Sequence, residues 1–557
     1  MYQRIDAGTL IGKGLKSLGH NVIFALQGGH IDPILYGAAK EGIKVFDTRH
    51  EQGAALMAEA YAIITGQTGV CLVTAGPGFT NSLTGIANAY INQTPLLLLA
   101  GKRPQMHAET WTLQELNQLS IIEPISCWAK ELLDPKRAIE YLRSALSVAN
   151  ATRPGPVYLE IAADILAKPL DAQILENKIS PVIVSKPFPD VDLVSKAAEM
   201  IEKAKKPVIV AGSGARWSNA GRELSELASK GIPLFTANAG RGVVSDEHEW
   251  CFGPATPMNG AFLGAITNAD LIITIGTRFG FLYLNGMIFG NTKVIRVDKN
   301  PEELARGVPS ALNIESDAGA FAISLANSIS SKPDSERILW RDEINVTSDK
   351  SLVEFDAQKT GPEGLIHPAF AVKTMVEVGG NSASYVTDGG DAMTFGMTRF
   401  PATRPGQAIG TSVYFGALGV GIPYAIASKI ANPDFPVLLW EGDGAFGFNA
   451  MEFDTAIRHK IPFVCVVANN NVWGMSYHGQ GLQYGYDELH SVEIGNRPYH
   501  EVVRALGGFG ISVSDPDELK PAIEKAIASD MPACVNVQID KSVVSVATSA
   551  MASIGLG

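Results

Sequence analysis

The chain is poor in the features that mark several protein classes. Its five cysteines, Cys71, Cys127, Cys251, Cys465 and Cys534, stand far apart, are odd in number and include no C-x-x-C pair. That argues against a disulfide framework and against a structural zinc site. Cys71, Cys465 and Cys534 lie in apolar runs, where buried inert thiols are expected. No stretch reaches about 18 uninterrupted apolar residues, so no membrane span is expected. The opening MYQRIDAGTLIGKGL also lacks the apolar centre of a signal peptide. Lysine and arginine form no block, and the net charge of -12 disfavours a nucleic-acid role. A cytoplasmic protein is the expectation. Gly8-x-x-x-Gly12-Lys13 is one residue short of a phosphate-binding P-loop, and Gly212-Ser213-Gly214 lacks the third glycine of a dinucleotide fingerprint. His459, His478, His490 and His500 lack metal-ligand spacing.

What remains is a globular composition, 46% hydrophobic and 18% charged, over 557 residues, enough for two to four domains. Short apolar runs recur at 21–29, 69–76, 95–101 and 156–161, then at 207–214, 233–240, 271–276 and 293–298, then at 384–390, 436–444, 462–470 and 533–540. They are rich in Val, Ile and Leu and often end in Gly, as buried parallel strands do. Helical patterns between them, such as EQGAALMAEAYAIITG at 51–66, fit right-handed crossovers. A proline-rich stretch at 166–190 and a polar, weakly periodic one at 331–363 read as linkers. The expectation is an α/β protein of three doubly wound parallel-sheet domains over residues 1–165, 190–330 and 364–550, with ligands at the C-terminal strand ends.

The sharpest motif is Gly442-Asp443-Gly444, followed after 24 intervening residues by Asn469-Asn470. Each half closes an apolar run. Adjacent parallel strands would bring Asp443 and Asn470 to one sheet edge. Magnesium takes hard oxygen ligands, usually one or two protein groups plus phosphate oxygens. Glycines permit close approach to a diphosphate, and a helix starting near Phe446 would offer its amides. Either half alone is more often a turn or a strand end; the joint spacing reverses that preference.

GDG…NN resembles the thiamine-diphosphate motif of the pyruvate-decarboxylase and acetolactate-synthase superfamily, and the likeness covers nearly the whole chain. It implies pyrimidine-binding, middle and diphosphate-binding domains, with thiamine diphosphate and Mg2+ as cofactors. It implies Asp443, Asn470 and the Val472 carbonyl as metal ligands. It places Asp388, Gly389, Gly390, Gly442, Gly444 and Ala445 against the diphosphate. Gly416 is implied to face the aminopyrimidine, and Leu418 to bend the cofactor, although core packing is the plainer role for a leucine. Glu51, in RHEQ, matches the glutamate that hydrogen-bonds the aminopyrimidine and promotes loss of the thiazolium proton; a helix N-terminal carboxylate is its bland alternative. The resemblance also implies at least a homodimer, with a homotetramer expected.

Within that superfamily the loop Gln27-Gly28-Gly29-His30-Ile31-Asp32-Pro33 is similar to that of benzaldehyde lyase. So are DTRHE, LVTAGPGFTN, a TLQ containing Gln114, GTRFG, EFDTAIRHKIP and NNNVWG. This implies small carbonyl substrates, 2-hydroxy ketones and aldehydes. His30 would move the hydroxyl proton, as a side chain titrating near neutrality can, and Gln114 would hydrogen-bond the substrate oxygens. The alternative for His30 is a turn cap. Gln27, Gly29, Trp473, Met475, Tyr477 and His478 are expected along the substrate channel. Gln27, Gly29 and Met475 depart from the benzaldehyde-lyase pattern, and Met475 is expected to narrow the pocket. An acetolactate-synthase-like transferase and a 2-hydroxyacyl-CoA lyase are the enzymatic alternatives; a non-catalytic relative is the alternative from another class.

Overall fold

The computed structural model describes residues 5–329, 333–356 and 358–553. Residues 1–4 and 330 of the expected domains, and 331, 332 and 357 of the second expected linker, lie outside them. The chain forms two compact units. One is Met1–Ser185 with Met451–His459; the other is Lys186–Ala450 with Lys460–Gly557.

Among the described residues three six-stranded sheets form, and every strand pair is parallel. In the first unit they are β1 (Val22–Ala25), β2 (Lys44–Asp47), β3 (Gly69–Val73), β4 (Leu96–Lys102), β5 (Trp128–Glu131) and β6 (Pro156–Ala162), in the order β2-β1-β3-β4-β6-β5. In the second unit β7 (Pro207–Ala211), β8 (Leu234–Thr236), β9 (Cys251–Pro254), β10 (Leu271–Ile275), β11 (Lys293–Asp298) and β12 (Leu312–Glu315) order as β12-β11-β10-β7-β8-β9. The last sheet holds β13 (Ser384–Asp388), β14 (Ala408–Gly410), β15 (Val437–Gly442), β16 (Val464–Asn469), β17 (Phe509–Val513) and β18 (Ala533–Gln538) in the order β14-β13-β15-β16-β18-β17. The first and last sheets therefore share a strand order, and the middle one differs.

Burial explains why these runs are strands. In β7, Ile209 and Ala211 pack into one core while Val208 and Val210 pack into another. Successive side chains point to opposite faces, so a strand covered on both sides must be apolar throughout. The 331–363 stretch is not all linker: a helix runs from Ser335 to Asp356. Its apolar period is short because two residues one turn apart, Trp340 and Ile344, do the anchoring in the middle core. The Trp340 indole N–H donates to the Pro207 carbonyl at 3.3 Å, and Lys205 and Lys206 pair with Glu336 and Glu343.

Each sheet has a place where the chain leaves two neighbouring strands in opposite directions. It lies between β1 and β3, between β7 and β10, and between β13 and β15. Open α/β sheets leave a crevice at such a point, outside the strands' carboxyl ends.

Candidate active site

In the first unit the crevice between β1 and β3 receives the loop after each strand. His30 is seated on the end of β4, where a Cβ on Gly101 would come within 2.5 Å of its own Cβ. Its Nδ1 lies 3.4 Å from the Thr74 hydroxyl, and burial holds its pKa below the ordinary value. Thr74 also donates to Gln114 Oε1 at 3.4 Å. Gln114 adopts a left-handed backbone, φ 61°, and packs on Gly76, where any Cβ would meet it at 2.9 Å. Buried Gln118 accepts the Gly76 N–H at 2.8 Å and donates to the Gly101 carbonyl at 3.1 Å, tying the loop after β3 to the end of β4. Gln27 and Gly29 are exposed, and the Gln27 amide donates to Asp32 at 3.0 Å.

Glu51 is the first residue of a helix, Glu51–Thr65, that follows β2. It is buried, and Asn81 donates to its Oε2 at 3.0 Å. Asn81, Thr74 and Gln118 were not singled out as site residues from the sequence; the first two lay in plain view in LVTAGPGFTN, but a polar residue in a glycine-rich turn gives no sign of which way it points.

In the second unit β15 and β16 are adjacent, with Gly442 opposite Ala468. This brings Asp443 and Asn470 together just past the strand ends. The helix there begins at Asp443 itself, not near Phe446. Asp443 is 3% exposed. Its oxygens accept the backbone N–H groups of Gly444 and Asn471, both at 2.9 Å, and burial pushes its pKa up to about 7. Asn470 Oδ1 accepts the Val472 N–H at 3.2 Å and keeps a lone pair free. Gly444 is required to be glycine, since a Cβ would lie 2.4 Å from the Trp473 ring. Among the described residues no three His, Cys, Asp or Glu cluster as a metal site. One buried carboxylate beside an amide oxygen suits a cation that draws its other ligands from phosphate, and a cation would relieve the cost of ionising Asp443.

A cavity of about 700 Å³ opens over these residues. Gly389, Gly390, Gly416, Leu418, Gly442, Asp443, Gly444, Ala445, Asn470 and Val472 all line it, as do Trp473 and Met475. Leu418 is half-buried and faces this space rather than the core. Met475 packs over Gly390 in this wall.

Three expected residues are placed elsewhere. Asp388 is fully buried and turned away from the cavity; it accepts from the Thr411 hydroxyl at 2.6 Å and from the Gly421 N–H at 2.8 Å. It shapes the Gly389–Gly390 loop from behind. Tyr477 and His478 sit on the helix Gly474–Tyr484 but outside the cavity wall. The Tyr477 ring packs tilted against Tyr486, and buried His478 places Nδ1 3.2 Å from the Tyr486 hydroxyl. Tyr477 lies two residues beyond Met475, about 200° around the helix, and so points to another side of it; His478, three residues on, is covered by Tyr486. Asp391, not expected, does line the cavity and accepts from the Thr548 hydroxyl at 2.6 Å.

Known proteins match the chain along nearly its whole length. The thiamine pyrophosphate enzyme N-terminal TPP binding domain matches residues 5–121, the central domain 194–325 and the C-terminal TPP binding domain 388–537. The acetolactate synthase large subunit of Mycobacterium tuberculosis is 33% identical over 97% of both chains. A 2-hydroxyacyl-CoA lyase of Arabidopsis thaliana is 29% identical over 96% of both, and an oxalyl-CoA decarboxylase of Escherichia coli 27% over 97% of this chain and 95% of its own. Three domains matched in order, a relative aligned end to end, and a glycine-lined pair of oxygen donors at the last crevice lead to one conclusion: this chain belongs to the thiamine pyrophosphate enzymes and depends on thiamine diphosphate.

Proposed function

We propose that the protein is a carbon–carbon lyase and carboligase acting on 2-hydroxy ketones and aldehydes, of the benzaldehyde-lyase kind. The observation that carries this reading is the wall of the 700 Å³ cavity. Among the described residues its charged groups are Asp391, Asp443 and Asp540, and no Lys, Arg or His lines it. Asp443 would be neutralised by the cation it holds, so beyond it an anionic donor, such as a 2-keto acid or a CoA thioester with its phosphates, would meet the carboxylates of Asp391 and Asp540. An uncharged acyloin or aldehyde would meet Leu418, Met475, Met393 and Phe281, which favour apolar groups.

Thiamine diphosphate, when bound, supplies the electron sink for cleaving or forming a bond beside a carbonyl. Asp443, Asn470 and the Val472 carbonyl would hold Mg2+ and, through it, the diphosphate against Gly389, Gly390 and Gly444. Glu51, oriented by Asn81, would hold the aminopyrimidine and relay its proton. His30, neutral at pH 7 because its pKa is held down, would take the hydroxyl proton in cleavage and return it in ligation, with Gln114 and Thr74 orienting the substrate oxygen. We further propose a cytoplasmic homodimer at minimum, with a homotetramer expected; light scattering of the holoenzyme reads the mass, and a fully active monomer would refute it.

The test is to supply benzoin, acetoin and pyruvate separately to protein loaded with thiamine diphosphate and magnesium. Aldehyde without carbon dioxide is the expected outcome. Carbon dioxide and acetolactate from pyruvate would instead establish an acetolactate-synthase-like enzyme, the reading that the 33% identical relative favours. A requirement for a CoA thioester would establish a 2-hydroxyacyl-CoA lyase, which the Arabidopsis relative favours.

A further inference from the structure

EFDTAIRHKIP opens on a buried glutamate, Glu452. Its helix, Glu452–Arg458, packs in the first unit, although the chain before Met451 and after His459 belongs to the second. Glu452 is 1% exposed. Its carboxylate reaches the turn that precedes Glu51. The Arg49 N–H donates to both its oxygens, at 3.1 and 3.2 Å, and the His50 N–H donates to Oε1 at 3.0 Å. Thr455 donates to Oε2 at 2.6 Å and sets the rotamer. The fit is tight enough to exclude a side chain at Gly53, where a Cβ would stand 2.6 Å from Oε1. Around this clamp, Arg458 and His459 bind Asp47 at 2.6 and 2.8 Å.

A buried carboxylate is costly unless its hydrogen bonds are fully made. Here they go to two backbone donors at the start of a helix, where negative charge is favourable. They fix the peptide planes immediately before Glu51, while Asn81 holds the far end of the Glu51 side chain. We propose that Glu452 is a positioning residue for Glu51: its carboxylate, clamped on Arg49 and His50, sets the direction in which the Glu51 carboxylate points. This rests on the reading of Glu51 as the group that promotes loss of the cofactor's thiazolium proton.

The experiment measures deuterium exchange of that proton on the bound cofactor, by rapid quench and NMR, together with cofactor affinity and melting temperature. Glu452→Gln is expected to slow exchange by about tenfold to a hundredfold, as small misplacements of a catalytic group do. Cofactor affinity should stay within about threefold, and Glu452→Asp should recover part of the rate. Glu51→Gln with Glu452→Gln should exchange no more slowly than Glu51→Gln alone, because both act through one group. Should Glu452→Gln fail to fold, Gly53→Ala displaces the same carboxylate and is read the same way. Normal exchange with only a lowered melting temperature would make Glu452 a helix cap and overturn the proposal, as would multiplying effects in the double variant. If Glu51→Gln itself leaves exchange unchanged, the reading of Glu51 fails first, and the assignment of Glu452 with it.

Discussion

The crevice between β1 and β3 carries His30, Thr74 and Gln114, a set without fixed charge at neutrality. The crevice between β13 and β15, in a sheet of the same strand order, carries buried Asp443 with Asn470, and Asp391 on its wall. The middle sheet has its own crevice between β7 and β10, and glycine backbone closes it. A Cβ on Gly212 would meet the Gly276 carbonyl at 2.4 Å, and one on Gly240 would meet the Gly212 carbonyl at 2.5 Å. Topology thus decides where a ligand can sit, and the few residues after each strand decide whether one does and of what charge.

The contrast can be broken most severely at its charged end. Asp443→Asn should weaken magnesium-dependent cofactor binding by at least the ~10–100-fold that lost outer-shell partners cost, as titration calorimetry would read; unchanged affinity would move the metal away from this crevice. Glu51→Gln should lower turnover by about a hundredfold to a thousandfold while binding cofactor normally. His30→Ala should lower cleavage and ligation by about a hundredfold, again without loss of cofactor. Unchanged rates on the true substrate would make His30 a turn cap and the first crevice structural.

A pH series sharpens the same contrast. Asp443 has its pKa raised to about 7 in the folded chain. Below that value it takes up a proton that a cation must displace, so cofactor affinity should fall about tenfold per unit as the pH drops through 7. Excess magnesium should restore activity at pH 6, because His30, with its pKa pushed down, is still neutral further into the acid range than an ordinary histidine. A loss that magnesium cannot restore would trace to the first crevice. The linked stability effect has the opposite sense: without cation, the native chain keeps a proton that the unfolded chain gives up near 4. The Asp443 contribution should therefore raise the melting temperature as pH falls from 7 toward 4. The smallest effect belongs to the closed crevice. Gly276→Ala, at φ 58° and 2.6 Å from Gly214 Cα, should cost about 1–3 kcal/mol of stability, read from a denaturant midpoint, with cofactor affinity unchanged.

The strands that were legible in the sequence and those that were not differ by position. The twelve apolar runs correspond to β1, β3, β4 and β6, to β7, β8, β10 and β11, and to β13, β15, β16 and β18, the interior strands of the three sheets. The six missed, β2, β5, β9, β12, β14 and β17, are all edges. In β2 the burial falls to one exposed and three half-buried residues, whereas all five residues of β3 are buried. An edge strand has a neighbour on one side only, so no continuous apolar run is demanded of it. The middle sheet's different order was equally hidden, because strand order is made by crossovers that leave no local mark.

By itself the sequence determined the three parallel sheets, the Asp443–Asn470 meeting and the start of a helix at Glu51, since these depend on buried runs and on glycines at their ends. Only the tertiary structure decided that Asp388 turns inward, that Tyr477 and His478 leave the cavity wall, and that Asn81, Gln118 and Glu452 hold the groups beside them. The physical reason is reach. Periodicity and turn chemistry act over a few residues, whereas a side chain's direction is set by whatever the fold packs against it, for Glu452 a turn 403 residues away along the chain.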